Sequence, residues 1–200
     1  LAGEPAENTE TQVPATRAVF EELNRLRADP ASYLPVLRDY RAHFEGKRVT
    51  MPGEVTLVTK EGASAVDEAI AYLERASPLP AYALSQAMSR AAADHVRDQG
   101  PRGRTGHFGS DGSNPSTRLR RYGAWKETVG EALGFGEKTA RRMIMLLLID
   151  DGVADRGHRH KLFSTKYRVV GIACGPHEVY RQMCVLDFAG EYIEKPQQAD

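Results

Sequence analysis

Two apolar runs near the C-terminus constrain this chain more than anything else in it. Tyr167 to Cys174 reads Tyr-Arg-Val-Val-Gly-Ile-Ala-Cys, and Met183 to Phe188 reads Met-Cys-Val-Leu-Asp-Phe. Short stretches rich in Val, Ile and aromatic residues, bounded by turn formers, are strands. Gly175, Pro176 and His177 mark a turn between them. An antiparallel hairpin centred near Val179 then sets Cys174 opposite Cys184. Two readings follow: a disulfide formed in an oxidising compartment, or two buried free thiols. Two cysteines are too few for a zinc ribbon.

Upstream the period changes from two to 3.6. Thr16 is placed to cap a helix carrying Val19, Phe20, Leu23 and Leu26, which stops near Asp29-Pro30. Ser64-Ala65-Val66-Asp67 has the form of a capping box before Val66, Ile70 and Leu73, and Ser77-Pro78-Leu79-Pro80 breaks that helix. A third helix starts at Ser85, with Met88, Ala91, Ala92, His95 and Val96 on one stripe, and ends at Gln99-Gly100-Pro101. Residues 100–116 read as loop and Val129 to Phe135 as a short strand. Thr139 opens the last helix, whose face is Met143, Ile144, Leu147 and Leu148. Helices followed by a closing hairpin predict an α+β fold, a three-layer α-β-α sandwich. Residues 1–15 read as a flexible arm, 16–192 as one domain and 193–200 as a tail.

Lys plus Arg and Asp plus Glu both total 27, which removes the electrostatic argument for a nucleic acid partner. The longest apolar run, Met143 to Ile149, is about a third of the roughly 20 residues that span a bilayer. No membrane span is expected. The opening Leu1-Ala2-Gly3-Glu4-Pro5 looks like a mature product after signal removal, so the expected location is secreted, extracellular or periplasmic.

Four polar segments are candidates for chemistry: Thr105 to Ser113 around His107, Gly130-Glu131-Ala132-Leu133-Gly134, Ile149-Asp150-Asp151-Gly152, and Arg156-Gly157-His158-Arg159-His160. Each has an ordinary alternative. His107 can be a surface histidine, Glu131 an edge-strand residue facing solvent, and Arg156 to Lys161 a solvated basic turn that neutralises two aspartates. Two acids at a helix C-terminus oppose the macrodipole, which hints at another use for their charge. His95, on an apolar stripe, is expected to be a core histidine with one hydrogen bond.

Taken in order, the His107 loop, Gly130-Glu131-x-Leu133, the amphipathic helix, Gly157-His158-Arg159 and Tyr167-Arg168-Val169-Val170-Gly171-Ile172 resemble the CAP superfamily. That superfamily, also called the SCP domain, groups cysteine-rich secretory proteins, antigen 5 and pathogenesis-related proteins. The resemblance runs roughly from Thr16 to Tyr192 and is nearest to bacterial members. It implies a CAP/SCP-like fold with a cleft of two histidines and two acids: His107 and His158, with Glu131 and either Asp150 or Asp151. The chain departs from the pattern at Ala132, where Asn is usual, at Leu147, where a helix tryptophan is usual, and in having Asp for the second acid.

Neutral imidazoles with carboxylates suit a weak, labile Zn²⁺ site, or a site for another divalent cation. The implied function is a secreted, monomeric binding module that holds a metal and a small apolar or glycan ligand, or a cell-surface component. The alternatives are a metal-dependent hydrolase of peptide, glycan or ester, with Glu131 as general base, and a structural or adhesive surface protein with a vestigial cleft. No Gly-x-Ser-x-Gly elbow or cysteine–histidine pair is present, which favours binding over catalysis.

Overall fold

The computed structural model describes residues 15–196. Four strands make the main sheet, in the order β4-β6-β7-β5: β4 (Ala83–Leu84), β5 (Gly123–Phe135), β6 (Val169–His177) and β7 (Arg181–Glu194). β4 runs parallel to β6, and the other neighbours are antiparallel. On one face lie α4 (Gln86–Gln99) and α5 (Pro115–Tyr122). On the other lie α1 (Thr16–Ala28), α2 (Leu34–Ala42), α3 (Ala63–Leu73), α6 (Ala140–Ile149) and α7 (Gly157–Leu162). A small antiparallel meander, β1 (Phe44–Glu45), β2 (Arg48–Val49) and β3 (Leu57–Val58), stands apart from the main sheet. The fold is α+β, an α-β-α sandwich.

Strand alternation divides the core in two. Ala132, Val170, Ile172, Cys184, Leu186 and Phe188 pack with Met143, Ile144 and Leu148 of α6. Leu133, Ala173, Met183 and Val185 point the other way, onto Ala92 and Val96 of α4. At Gly171 a Cβ would come within 2.3 Å of the Met88 backbone, so only glycine lets α4 lie this close to β6.

The hairpin forms with the expected centre. Cys174 faces Cys184 and the two are joined in a disulfide, which excludes the free-thiol reading. The turn is Glu178 to Tyr180 rather than Gly175 to His177, which remain in β6. Its geometry is held by His177, whose Nδ1 accepts from the Val179 and Tyr180 amides while Nε2 donates to the Arg104 carbonyl.

Ser85 and Thr139, at the expected starts of two helices, cap α4 and α6, accepting from Met88 N and Arg142 N. Two other caps do not form. Thr16 is already inside α1, and its hydroxyl accepts instead from the Cys174 amide. The N-cap of α3 is Gly62, and the Ser64 hydroxyl donates back to the Glu61 carbonyl, so there is no capping box. β5 starts six residues before the expected strand, and α6 is followed by α7. Residues 100–116 are loop only in their middle, between a 3₁₀ turn at Gly100–Arg102 and α5. The arm expected at 1–15 lies outside the described residues except for Ala15. Of the expected tail, Ile193 and Glu194 belong to β7 and residues 197–200 lie outside the description.

Candidate functional site

Each of the two histidines meets one carboxylate. His107, in the loop after α4, donates through Nδ1 to Glu131 Oε1 at 2.7 Å. His158, in the first turn of α7, donates through Nδ1 to Asp150 Oδ1 at 2.6 Å. Both acids are buried, at 1% and 2% side-chain exposure, while the imidazoles are 49% and 21% exposed. A carboxylate behind Nδ1 fixes ring orientation and tautomer and turns Nε2 outward as the free donor atom, the arrangement found behind metal-bound histidines.

Asp150, not Asp151, is the acid at His158. It ends α6 in the left-handed conformation, φ 60°, which carries its carboxylate away from the carbonyl end of its own helix. Oδ2 accepts from the His158 amide at 2.8 Å, so the charge serves the start of α7 rather than opposing the end of α6. Asp151 instead accepts from the Lys60 and Glu61 amides, at 2.7 and 2.8 Å, and ties down the approach to α3.

Arg156 and Arg159 flank His158 and are not a solvated basic turn; both are buried. Arg156 grips Glu61 and Glu68 and donates to the Asp150 and Val153 carbonyls. Arg159 donates to the Leu148 and Ile149 carbonyls and to Glu68. Together they satisfy the open end of α6. The Arg156 guanidinium, with the Gly152 amide, holds Glu61 down to about 2.

The Glu131 side has a different backing, which sequence reasoning missed. Arg118, fully buried on α5, donates to Glu131 Oε2 and also to the His107 and Ser113 carbonyls. Asp187 lies opposite Glu131 on β7 and is completely buried. Burial, and then the negative charge of Glu131, push its carboxyl well above the usual carboxylate range, while Arg118 pulls it down. The available signal was an aspartate inside the apolar run Met183 to Phe188. His95 is a core histidine as expected: Nε2 donates to the Gly106 carbonyl at 2.8 Å, and burial lowers its pKa.

The two pairs are carried by different layers of the sandwich. Glu131 shares its face with the α4 and α5 layer, whereas Asp150 and His158 belong to the α6 and α7 layer. A cavity of about 390 Å³ opens at the second pair, lined by Tyr40, Phe44, Val66, Leu146 and Leu147 as well as Asp150 and His158; neither His107 nor Glu131 lines it. Among the described residues, no three His, Cys, Asp or Glu side chains group as a metal would require. The expected four-residue cleft is therefore present as two dyads. The donors left free are imidazole Nε2 atoms, which fit a cation held by imidazole and water rather than by carboxylate.

The CAP family, described as the cysteine-rich secretory protein family, matches residues 20–188. No curated protein matches the chain. Among solved structures, the chain is similar to an outer surface protein from Borrelia burgdorferi, with 17% identity and a TM-score of 0.47 over 56% of this chain and 78% of that one. It is also similar to an extracellular protein containing an SCP domain from Bacillus anthracis, with 17% identity and a TM-score of 0.45 over 64% of this chain and 37% of that one.

Proposed function

The chain belongs to the CAP family, and from that premise we propose that it is an extracellular binding module rather than an enzyme. Its apolar cavity takes a small apolar ligand, and its carboxylate-backed imidazoles take a labile divalent cation such as Zn²⁺. The observation that carries this reading is the Asp150–His158 pair standing in the wall of a mostly apolar cavity. A ligand there buries an apolar body and offers one polar end to the imidazole, the usual composition of a small-molecule site.

His107 and His158 would hold the cation through Nε2, with Glu131 and Asp150 orienting the rings behind them. When bound, the cation supplies Lewis acidity and a fixed positive charge for an anionic or carbonyl group. Glu131 is unsuited to act as a general base towards a ligand in solvent: it is buried, and its two oxygens already receive His107 and Arg118. The cross-strand disulfide supports an oxidising, extracellular location. Among the described residues no helix is long and apolar enough to cross a membrane.

Calorimetric Zn²⁺ titration of the full chain tests the reading. Binding should weaken at least tenfold in His158→Ala and in His107→Ala. It should persist in His43→Ala, whose ring is backed by the Asp39 carbonyl and not by a carboxylate. Unchanged affinity in both of the first two variants would overturn the cation assignment.

A further inference from the structure

The loop that carries His107 is held in an unusual way. Three successive carbonyls each receive a hydrogen bond from a different buried side chain: Gly106 from His95 Nε2 at 2.8 Å, His107 from Arg118 Nη1 at 3.1 Å, and Phe108 from Gln99 Nε2 at 2.7 Å. His95, Gln99 and Arg118 are 0%, 2% and 1% exposed. Each has a further polar atom, His95 Nδ1, Gln99 Oε1 or Arg118 Nε, buried with no partner. Burying a polar atom without a hydrogen bond is costly, so the fold accepts three such atoms to fix one short stretch of backbone. Gly106 adds a φ of 103°, a conformation that side chains other than hydrogen rarely adopt.

What this rigid stretch displays is two neighbouring side chains in solvent. His107 is 49% exposed with Nε2 unengaged, and Phe108 is 68% exposed, among the most exposed large apolar side chains of the described residues. Among the described residues the Phe108 ring makes no ring–ring or cation–π contact, and a core-forming role is excluded by its exposure. Supporting groups that are buried, with presenting groups that are open, are what a preorganised binding element needs.

We propose that the 106–109 loop is a preformed platform for a saccharide, with Phe108 stacking on the C–H face of a pyranose ring. His107 Nε2 then bonds a ring hydroxyl, and His95, Gln99 and Arg118 act as positioning residues. An acyl chain does not suit this place, because neither His107 nor Phe108 lines the apolar cavity and the chain would remain in water. A pyranose ring does: it covers the aromatic face with C–H groups and leaves its hydroxyls solvated or in reach of the imidazole.

The experiment is NMR titration of the full chain, in EDTA so that no cation takes part, with tetra-N-acetylchitotetraose and with cellotetraose. At millimolar sugar, one of the two should shift the amide signals of residues 106–109. Phe108→Ala should weaken that binding at least tenfold, Phe108→Tyr should restore it, and Gln99→Leu should weaken it severalfold with both contact side chains still present. Phe108 is too exposed for its replacement to unfold the protein. No shift with either sugar, or Phe108→Ala binding as wild type, would overturn the proposal. Because EDTA is present, the result is independent of the cation reading.

Discussion

His107–Glu131 and His158–Asp150 look alike across the bond between imidazole and acid and differ in everything behind it. In the first pair the second carboxylate oxygen meets a buried guanidinium from α5, and a second buried acid, Asp187, stands beside it. In the second pair that oxygen accepts a backbone amide of the very residue it orients, and the nearby arginines spend themselves on helix carbonyls and on Glu61 and Glu68. One pair is supported by a buried charge network and faces open solvent. The other is supported by local backbone geometry and faces a cavity. A shared motif thus specifies the contact and leaves its energetic support to the surrounding fold.

Removing the support should separate the two pairs most clearly. Arg118→Met leaves Glu131 buried without its cation and frees two carbonyls, a change that costs about 3–5 kcal/mol. Asp150→Asn should cost only about 1 kcal/mol, because Asn still accepts from the His158 amide and tolerates left-handed backbone. Urea unfolding of the two variants measures both. Equal costs would mean that the second pair is as dependent on charge as the first.

A smaller effect should appear as pH dependence around the first pair. Asp187 has its pKa raised by burial and by Glu131. The folded state therefore keeps a proton that the unfolded chain releases above about pH 3.9. Stability from this group is complete below that pH and is lost as pH rises towards the folded pKa. Asp187→Asn should remove the loss, so its stability relative to wild type should improve as pH rises above about 4. His95 has its pKa lowered by burial. There the unfolded chain takes up a proton first, so stability falls as pH drops below about 6.5. His95→Gln should flatten that acid limb. Stability curves that keep the wild-type slope in both variants would remove the pH signature from this region.

The contrast also explains what sequence could and could not supply. The hairpin and the starts of α4 and α6 follow from period and turn residues, and the two histidines and Glu131 from the family resemblance. Asp150 and Asp151 are adjacent and chemically identical, and only a left-handed residue at the end of α6 assigns one to His158 and the other to the α3 approach. Arg118 sits in an eight-residue helix with a single apolar anchor, Leu119, too short a pattern to read as buried. α2 has Leu37 and Tyr40 on one face but opens at a 3₁₀ turn, and α7 has six residues. The caps expected at Thr16 and Ser64 fail because each hydroxyl finds a different backbone partner, across the fold for Thr16 and one turn back for Ser64. Short-range rules cannot rank those competing bonds.

The sharpest probe of the second region changes the volume of its cavity. Leu147 lines the cavity from α6 and stands where the family resemblance implies a tryptophan. It is also buried in the core cluster, so Leu147→Trp should cost about 1–3 kcal/mol of stability. Ligand binding should change as well. If the cavity holds the apolar body of a ligand, cis-parinaric acid fluorescence should show binding to wild type and at least a tenfold weaker affinity in Leu147→Trp. His107 does not line the cavity, so its ring signals in NMR should not move. Wild-type affinity for the fatty acid in this variant would place the ligand outside the cavity, and a shift at His107 would show that the two regions are coupled.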